Sequence, residues 1–555
     1  MTNSVVRGAQ FRVREAGDSG LLLELEAVVD PVVNARAIGI AQAIAAEQVA
    51  GVRDVLPTYR SVAVHFDPMV TDVDSLRASL HRAAVSTPVG REGTLISVPV
   101  AYGGENGPDI EEVAAYARIS AEEVIERHCA PEYRVFMLGF LPGFAYMGTV
   151  DDRIAAPRKG TPRTRIPAGS VGIAGRQTGI YPLQSPGGWQ LIGRTALQVF
   201  DPSREQASLF TPGDRVRFVP EPRTRPPRSA ETRTFEPSTF GTRMPDPASR
   251  SMTVLNPGLV TTIQDAGRFG YQDRGVPVAG PMDWYSYRLA NALVGNGRDA
   301  AALEATLLGP ELRFDQPAII AIAGADLGAS LDGTPLPVNS TRACPAGCVL
   351  RFAERRAGAR AYVAVDGGID VPAVLGSRAT HVVSALGGLH GRALKRGDRI
   401  ALGSQRQRAS SLRGRTLRLP SGGARVRVMR GPQDEHFDDF AFDILRRTRF
   451  TISPQSDRMG YRLRTTDPGS RIPARTEGAM ISDATFTGGL QIPPSGAPIL
   501  LMADRQTTGG YPQIATVITA DLPLAGQLAP GDWIEFTECT RSEAIAALKD
   551  LHDGD

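Results

Sequence analysis

Lysine is almost missing from this sequence. Lys159, Lys395 and Lys549 are the only ones among 62 lysines and arginines. That skew fits a GC-rich bacterial coding bias. The formal net charge of +3 is small for 555 residues, and no basic stripe is interleaved with aromatics, which excludes a nucleic-acid-binding surface. Four cysteines are too few for a disulfide framework in so long a chain. Cys344 and Cys348 form a Cys-x3-Cys pair, but no histidine or second pair lies nearby to complete a tetrahedral zinc site. No apolar run reaches the roughly 18 residues of a membrane span; the longest, Ala318 to Ala325, reads as a buried strand. The opening residues have no apolar core of signal-peptide length, so a cytoplasmic protein is expected.

Motif absences narrow the chemistry. There is no G-x-x-x-x-G-K-[ST] phosphate loop, no G-x-G-x-x-G opening a helix, and no G-x-S-x-G elbow. No two histidines have metal-ligand spacing. The seven are isolated, and His128 is the best candidate among them for a site.

What is present is turn-rich. Glycine and proline, 59 and 42 of them, are scattered between short apolar runs, which predicts a mainly β protein. The length demands several cores. Residues 1–88 alternate strand and helix patterns: Gly20 to Glu26, Ala35 to Gln48, Ser61 to Phe66, Asp74 to Ala84. They predict a small α+β domain. Residues 89–220 begin with a strand at Leu95 to Val100 and a helical pair, with Ser120 and Glu123 set as a capping box. The chain then turns to β. Residues 221–251 are poor in apolar side chains and read as a flexible linker. Met252 looks like the start of a second, once separate protein, with modules at 252–410 and 411–545.

Internal repeats shape the architecture. AGRQTGIYP at Ala174 to Pro182 matches ADRQTTGGYP at Ala503 to Pro512, each following an Ile-Pro pair. A second motif occurs three times: PGDRVRF from Pro212, RGDRIAL from Arg396 and PGDWIEF from Pro530. In each, a Gly-Asp turn feeds a strand whose alternate residues are apolar. Three related barrels follow, one before the linker and two after.

Three dense segments carry candidate chemistry. The first runs from Val135 (VFMLGFLPGFAY) to Thr195. Its glycines allow close backbone approach, its aromatics can wall a pocket, and its arginines can clamp an anionic oxygen. Here the candidates are Arg163, Arg176, Gln177 and Arg194 for catalysis, with His128, Phe140, Phe144, Gly187 and Gly188 for substrate. The second, Asn256 to Asn296, offers Gln264, Asp265 and Arg268, then an amphipathic helix from Met282 with Asp283 at its favourable N-terminal end. The third, Ser456 to Arg462, contributes Arg458 and Tyr461, and the repeat after it contributes Asp504, Arg505, Gln506 and Tyr511.

These segments also carry a resemblance. Gly139 to Thr195 resembles allophanate hydrolase subunit 1, the KipI-like family. Leu255 to Asn296, with Ser456 to Tyr461 and Arg505 to Pro512, resembles subunit 2, the KipA-like family. The resemblance implies cyclophilin-like β-barrels and kinship with the carboxyltransferase part of urea carboxylase. Stand-alone bacterial pairs of this kind are similar to the B and C components of 5-oxoprolinase. They imply ATP, with Mg2+, and a separate LamB/YcsF-like component A; Asp265 or Asp504 would be the metal ligand. No lysine sits in a Met-Lys-Met turn, so no covalent biotin is expected. Two alternatives stay open: a carboxyltransferase using an external biotin carrier, and a KipI-like kinase regulator. Homo-oligomerisation is also open.

Overall fold

The computed structural model describes residues 11–86, 93–221, 250–404, 418–465, 467–474 and 480–552. Most of the expected linker, residues 222–249, lies outside them.

The first module is a four-stranded antiparallel sheet in the order Arg12–Glu15, Gly20–Glu24, Ser61–Phe66, Val52–Pro57. Two helices, Pro31–Glu47 and Val73–Ser86, pack on it. Asp30 starts the first helix by accepting the Val32 and Val33 N–H groups at 2.7 and 3.1 Å, with Pro31 at the first helical position. The central strands are apolar on both faces because both are covered. Leu21, Leu23, Val62 and Val64 point to the helices, whereas Leu22 and Ala63 join Ala484 and Phe486 of the far end of the chain. Alternation along a strand therefore separates two partners here rather than core from water.

The next module is a closed seven-stranded barrel around Val98, Val100, Val135, Met147, Ile173, Ile192, Val216 and Phe218. Ser120 caps the helix Ala121–Cys129, accepting the Glu123 N–H at 3.1 Å, while the Glu123 carboxylate turns to Arg127. The PGDRVRF strand, Arg215–Pro220, pairs in parallel with Leu95–Tyr102 and antiparallel with Tyr133–Leu138. That double pairing closes the ring. The C-terminal module repeats the solution: Trp533–Glu538 lies parallel to Gly423–Arg430 and antiparallel to Phe450–Ile452, and its seven strands also close.

The middle module departs from the three closed barrels expected. Its RGDRIAL strand, Arg399–Ala401, is only three residues long; it pairs antiparallel with Ser251–Asn256, and on its other side it is joined only by an isolated bridge between Ile369 and Leu402. No second strand runs along it, and among the described residues the strands of this module form two sheets rather than one closed ring. The module is a six-stranded and a five-stranded sheet sharing one core of Val254, Ile263, Leu303, Leu312, Ile320, Leu350 and Val363. Its helix Trp284–Leu293 covers the five-stranded sheet and begins at Asp283, whose carboxylate accepts the Ser286 N–H at 2.9 Å. Among the described residues no helix is long and apolar enough to cross a membrane. All four cysteines are free thiols.

Candidate active site at the junction of the two halves

All modules meet around the loop Arg268–Gly280. The first barrel reaches it through the glycine-rich turn 139–143: the Gly143 N–H donates to the Arg274 carbonyl at 2.9 Å. A Cβ on Gly139 would lie 1.9 Å from Thr508 Oγ1 of the C-terminal barrel, and one on Gly275 would lie 2.5 Å from the Leu141 carbonyl. Those glycines are where two backbones touch. Phe140, between them, holds φ +63°. The first module enters through Asp54, whose Oδ1 accepts the Gly270 and Gln272 N–H groups at 2.9 and 3.1 Å.

Two constellations line this junction. The first is a cluster of Tyr59, Phe136, Phe144, Tyr146, Tyr181 and Trp189, flanked by Phe140 and by Ile481 of the C-terminal barrel. Its rings meet edge to face: Phe144 lies 4.9 Å from Tyr146, 5.3 Å from Tyr181 and 5.4 Å from Trp189. Gln177 Nε2 donates to the Tyr59 hydroxyl at 2.7 Å. Burial raises the pKa of all three phenols, Tyr146 to about 12, so each stays a neutral donor.

The second constellation is charged and buried. Arg458 donates twice to Asp504, at 2.9 and 3.0 Å, to Glu304, and to the Gly280 carbonyl at 2.6 Å. Burial alone would lower its pKa, but Asp504 and Glu304 outweigh burial and raise it. Arg268 is 1% exposed and donates only to carbonyls, those of Val374, Ser377 and Ala379. Arg505 is 3% exposed and donates to Thr487, Thr485, the Gln506 carbonyl and, at 2.8 Å, to Gln272. Burial lowers both guanidinium pKa values to about 10, against the opposing pull of Asp265 and Asp504 on Arg268 and of Asp54 on Arg505. His381 lies buried beside this group, and burial lowers its pKa.

The candidate residues separate by place. Gln177, Phe140 and Phe144 belong to the aromatic cluster. Arg458, Asp504, Arg505, Arg268 and Asp265 belong to the charged one. Gln264 is buried beside Thr262 and the Thr380 carbonyl, and the Gln506 carbonyl accepts from the Thr485 hydroxyl. The rest lie apart. Arg163 forks onto Asp109, which also holds Lys159. Arg176 pairs with Asp152 in the open, and Arg194 donates to the Ala168 carbonyl. Gly187 faces Ile166 and Tyr181, and Gly188 lies in ordinary contact with the Lys159 carbonyl and Pro162. Tyr461 takes a 2.6 Å hydrogen bond from Arg360, and Tyr511 is exposed. Asp283 is an enclosed N-cap whose pKa burial raises to about 6. His128 sits in the first barrel between Tyr102 and Thr178, at 2.7 and 2.9 Å, and burial lowers its pKa to about 3.

A metal has poor purchase at the two carboxylates expected to hold it. Both Asp504 oxygens face Arg458, and those of Asp265 accept the Gly267 N–H, the Ser377 hydroxyl and the Arg378 N–H. Among the described residues no group of three or more His, Cys, Asp or Glu is placed to hold a metal ion. A hollow of 720 Å3 along the helix Val73–Ser86, lined by Asp74, Arg77, His81 and Val85, contains none of the motif residues.

Sequence reasoning missed Asp54, Tyr59, Gln272, Glu304 and His381. Tyr146 and Trp189 stood inside the Val135 to Thr195 segment, whose density of Gly and aromatics was the available signal. Tyr59 and Asp54 lie in strand and turn segments with no local pattern, so only the tertiary fold brings them in.

Comparison with known proteins agrees with this layout. The family model for the carboxyltransferase domain, subdomains C and D, matches residues 11–210, and that for subdomains A and B matches residues 274–538. The B component of 5-oxoprolinase from Bacillus subtilis is 40% identical over 38% of this chain and 92% of its own length. The C component of 5-oxoprolinase from Escherichia coli is 38% identical over 54% of this chain and 94% of its own. The crystal structure of TTHA0988 superposes with a TM-score of 0.81 at 36% identity, covering 95% of this chain and 100% of that one. The urea carboxylase of Kluyveromyces lactis superposes with a TM-score of 0.52 at 29% identity, over 56% of this chain and 30% of that one. Built as a B-like half followed by a C-like half, with both meeting at one buried junction, this chain belongs to the carboxyltransferase-domain family that includes the B and C components of 5-oxoprolinase.

Proposed function

We propose that this chain is the combined B and C component of an ATP-dependent 5-oxoprolinase, acting in the cytoplasm with a separate LamB/YcsF-like component A. The observation that carries the reading is the junction itself: the 139–143 turn of the first half seats on Arg274, Gly275 and Thr508 of the second. Side chains from both halves thus face a common polar and aromatic centre, as two components of one enzyme require.

A lactam amide is resonance-stabilised, and opening it at neutral pH needs an activated carbonyl. Attack of the amide oxygen on the γ-phosphorus of ATP, as co-substrate, supplies that activation and releases ADP; the phosphorylated lactam passes to component A, where two waters are consumed, one opening the ring C–N bond and one freeing phosphate, to leave glutamate. Arginines stabilise charge that develops on transferring phosphoryl oxygens. The buried guanidiniums of Arg268 and Arg505, held by neutral acceptors, are the groups best placed to do so, and the aromatic walls exclude water. Because the Asp265 and Asp504 oxygens are already engaged, no step is assigned to Mg2+.

The test is ATP hydrolysis with purified chain and 5-oxoproline, with and without component A. Turnover dependent on 5-oxoproline is expected when both are present; its absence from both mixtures overturns the reading. The likeness to urea carboxylase favours a second reading, a carboxyltransferase served by an external carrier. Carboxyl transfer from a biotinylated carrier to a small amide would establish it instead.

A further inference from the structure

The guanidinium of Arg505 is fixed in part from outside its own barrel. Nε and Nη1 donate within the C-terminal barrel, to Thr487 at 3.0 Å, Thr485 at 3.3 Å and the Gln506 carbonyl at 3.5 Å. The shortest of its hydrogen bonds leaves the barrel: Nη2 donates to Gln272 Oε1 at 2.8 Å. Gln272 is 1% exposed and opens the single helical turn Gln272–Arg274. A lone turn fixes several dihedral angles for few hydrogen bonds, so it needs outside support. The first half grips it from two sides. Asp54 Oδ1 accepts the Gly270 and Gln272 N–H groups at 2.9 and 3.1 Å, and Arg53 next to it lies over the Phe269 ring at 5.0 Å. From the barrel of the first half, the Gly143 N–H donates to the Arg274 carbonyl at 2.9 Å, and the Leu141 carbonyl lies where a Cβ on Gly275 would meet it at 2.5 Å. Burial raises the Asp54 pKa, opposed by the hydrogen bonds from Gln272 and Gly270 and by the charge of Arg505.

We propose that Asp54 of the first half is a positioning residue for Arg505 of the second half, acting through Gln272. The path is continuous: the carboxylate holds the Gln272 main chain, and the Gln272 side chain holds the guanidinium. Docking of the halves thereby sets the Arg505 contact that its own barrel does not supply. A planar guanidinium works through the direction of its N–H groups, so an acceptor at one edge fixes where the others point. That Arg505 acts on a transferring phosphoryl group rests on the function proposed above; that Asp54 places it rests on the hydrogen bonds alone.

Two measurements on the intact chain test the relay separately from that function. The first follows the Arg505 Nε–H signal by NMR in isotope-labelled chain, identified by its loss in Arg505→Lys; burial slows its exchange with water. Asp54→Ala is expected to shift or broaden this signal, as is Gln272→Met, which keeps the side-chain length without the amide oxygen. Asp54→Leu, of similar shape and with no acceptor, repeats the test where Asp54→Ala does not fold. A signal left unmoved by the Asp54 variant overturns the proposal. The second measurement is 5-oxoproline-dependent ATP hydrolysis with component A. Asp54→Ala is expected to lower kcat by on the order of tenfold to a hundredfold with little change in KM for ATP, and Asp54→Asn, which keeps an acceptor oxygen, to recover most of that loss. In an Arg505→Lys background Asp54→Ala is expected to cost nothing further. An undiminished loss there shows Asp54 acting independently of Arg505 and also overturns the proposal. Absence of turnover by the unaltered chain counts against the oxoprolinase reading alone, and the Arg505 signal then decides the relay.

Discussion

At the residue scale, one repeated motif has two fates. Arg176 and Arg505 occupy equivalent places in AGRQTGIYP and ADRQTTGGYP, yet Arg176 pairs with Asp152 in solvent and Arg505 is buried among Thr485, Thr487 and Gln272. The motif announced a shared hairpin; burial was decided by what packs over it, and no local pattern encodes that. Arg458 shows the energetic weight of such positions. A cation clasped by Glu304 and Asp504 leaves two buried anions when removed. Arg458→Met is therefore expected to lower stability by about 3–5 kcal/mol in chemical denaturation, and Arg458→Lys to recover only part, since an ammonium cannot fork. Gly139→Ala should disrupt the junction because its methyl group meets the Thr508 side chain. Adding Thr508→Gly should restore activity lost in Gly139→Ala; failure of that rescue in an activity assay would show that the glycine serves some other end.

At the scale of elements, the strand Gly20–Glu24 was legible as a strand but not as one buried on both faces. A continuous apolar run identifies burial without naming the cover, and here half of it comes from Phe486 and Ala484. The Gly-Asp repeats located the strands that close the first and last barrels, and the middle copy marks a three-residue strand, Arg399–Ala401, in a module of two sheets. The covered sheet also carries a titratable group. Burial, and next the neighbouring Asp483, raise the Glu24 pKa to about 7; Glu435 adds to them, and Arg60 and Arg14 oppose. The neutral acid is thus the form the fold favours. Its contribution is intact at low pH and is lost as pH rises through about 7, so stability attributable to Glu24 falls between about pH 5 and about pH 8. Glu24→Gln should flatten that decline in melting temperature measured across this range, and an unchanged slope would remove Glu24 as its source.

At the scale of the molecule, the two halves are joined by far more than a tether. Asp18 accepts from the Thr519 N–H and hydroxyl, Arg14 pairs with Asp434 and Glu435, Thr58 and Ser61 donate to Asp483, and Arg505 reaches Gln272 within its own half beside Asp54 of the other. A break engineered between residues 221 and 250 is expected to leave the halves co-eluting in size-exclusion chromatography, whereas Asp54→Ala in the broken chain should weaken their association. Separate elution of the unaltered halves would show that covalent linkage is what keeps them together. The bipartite plan was readable from the fresh Met-Thr-Val-Leu start and from the repeats. The junction was not, because Asp54 and Tyr59 sit where no periodicity or motif marks them.

The sheet face that meets Phe486 has a consequence for biosynthesis. Ser61 and Asp483 are 422 positions apart, and a ribosome adding about 5–20 residues per second needs about 20 to 85 seconds to cover that span. Throughout that interval Leu22, Leu56 and Ala63 have no lid, so the emerging chain displays a greasy β surface until its last barrel arrives. Holdase chaperones engaging the nascent polypeptide at this surface would be the cell's means of bridging the delay.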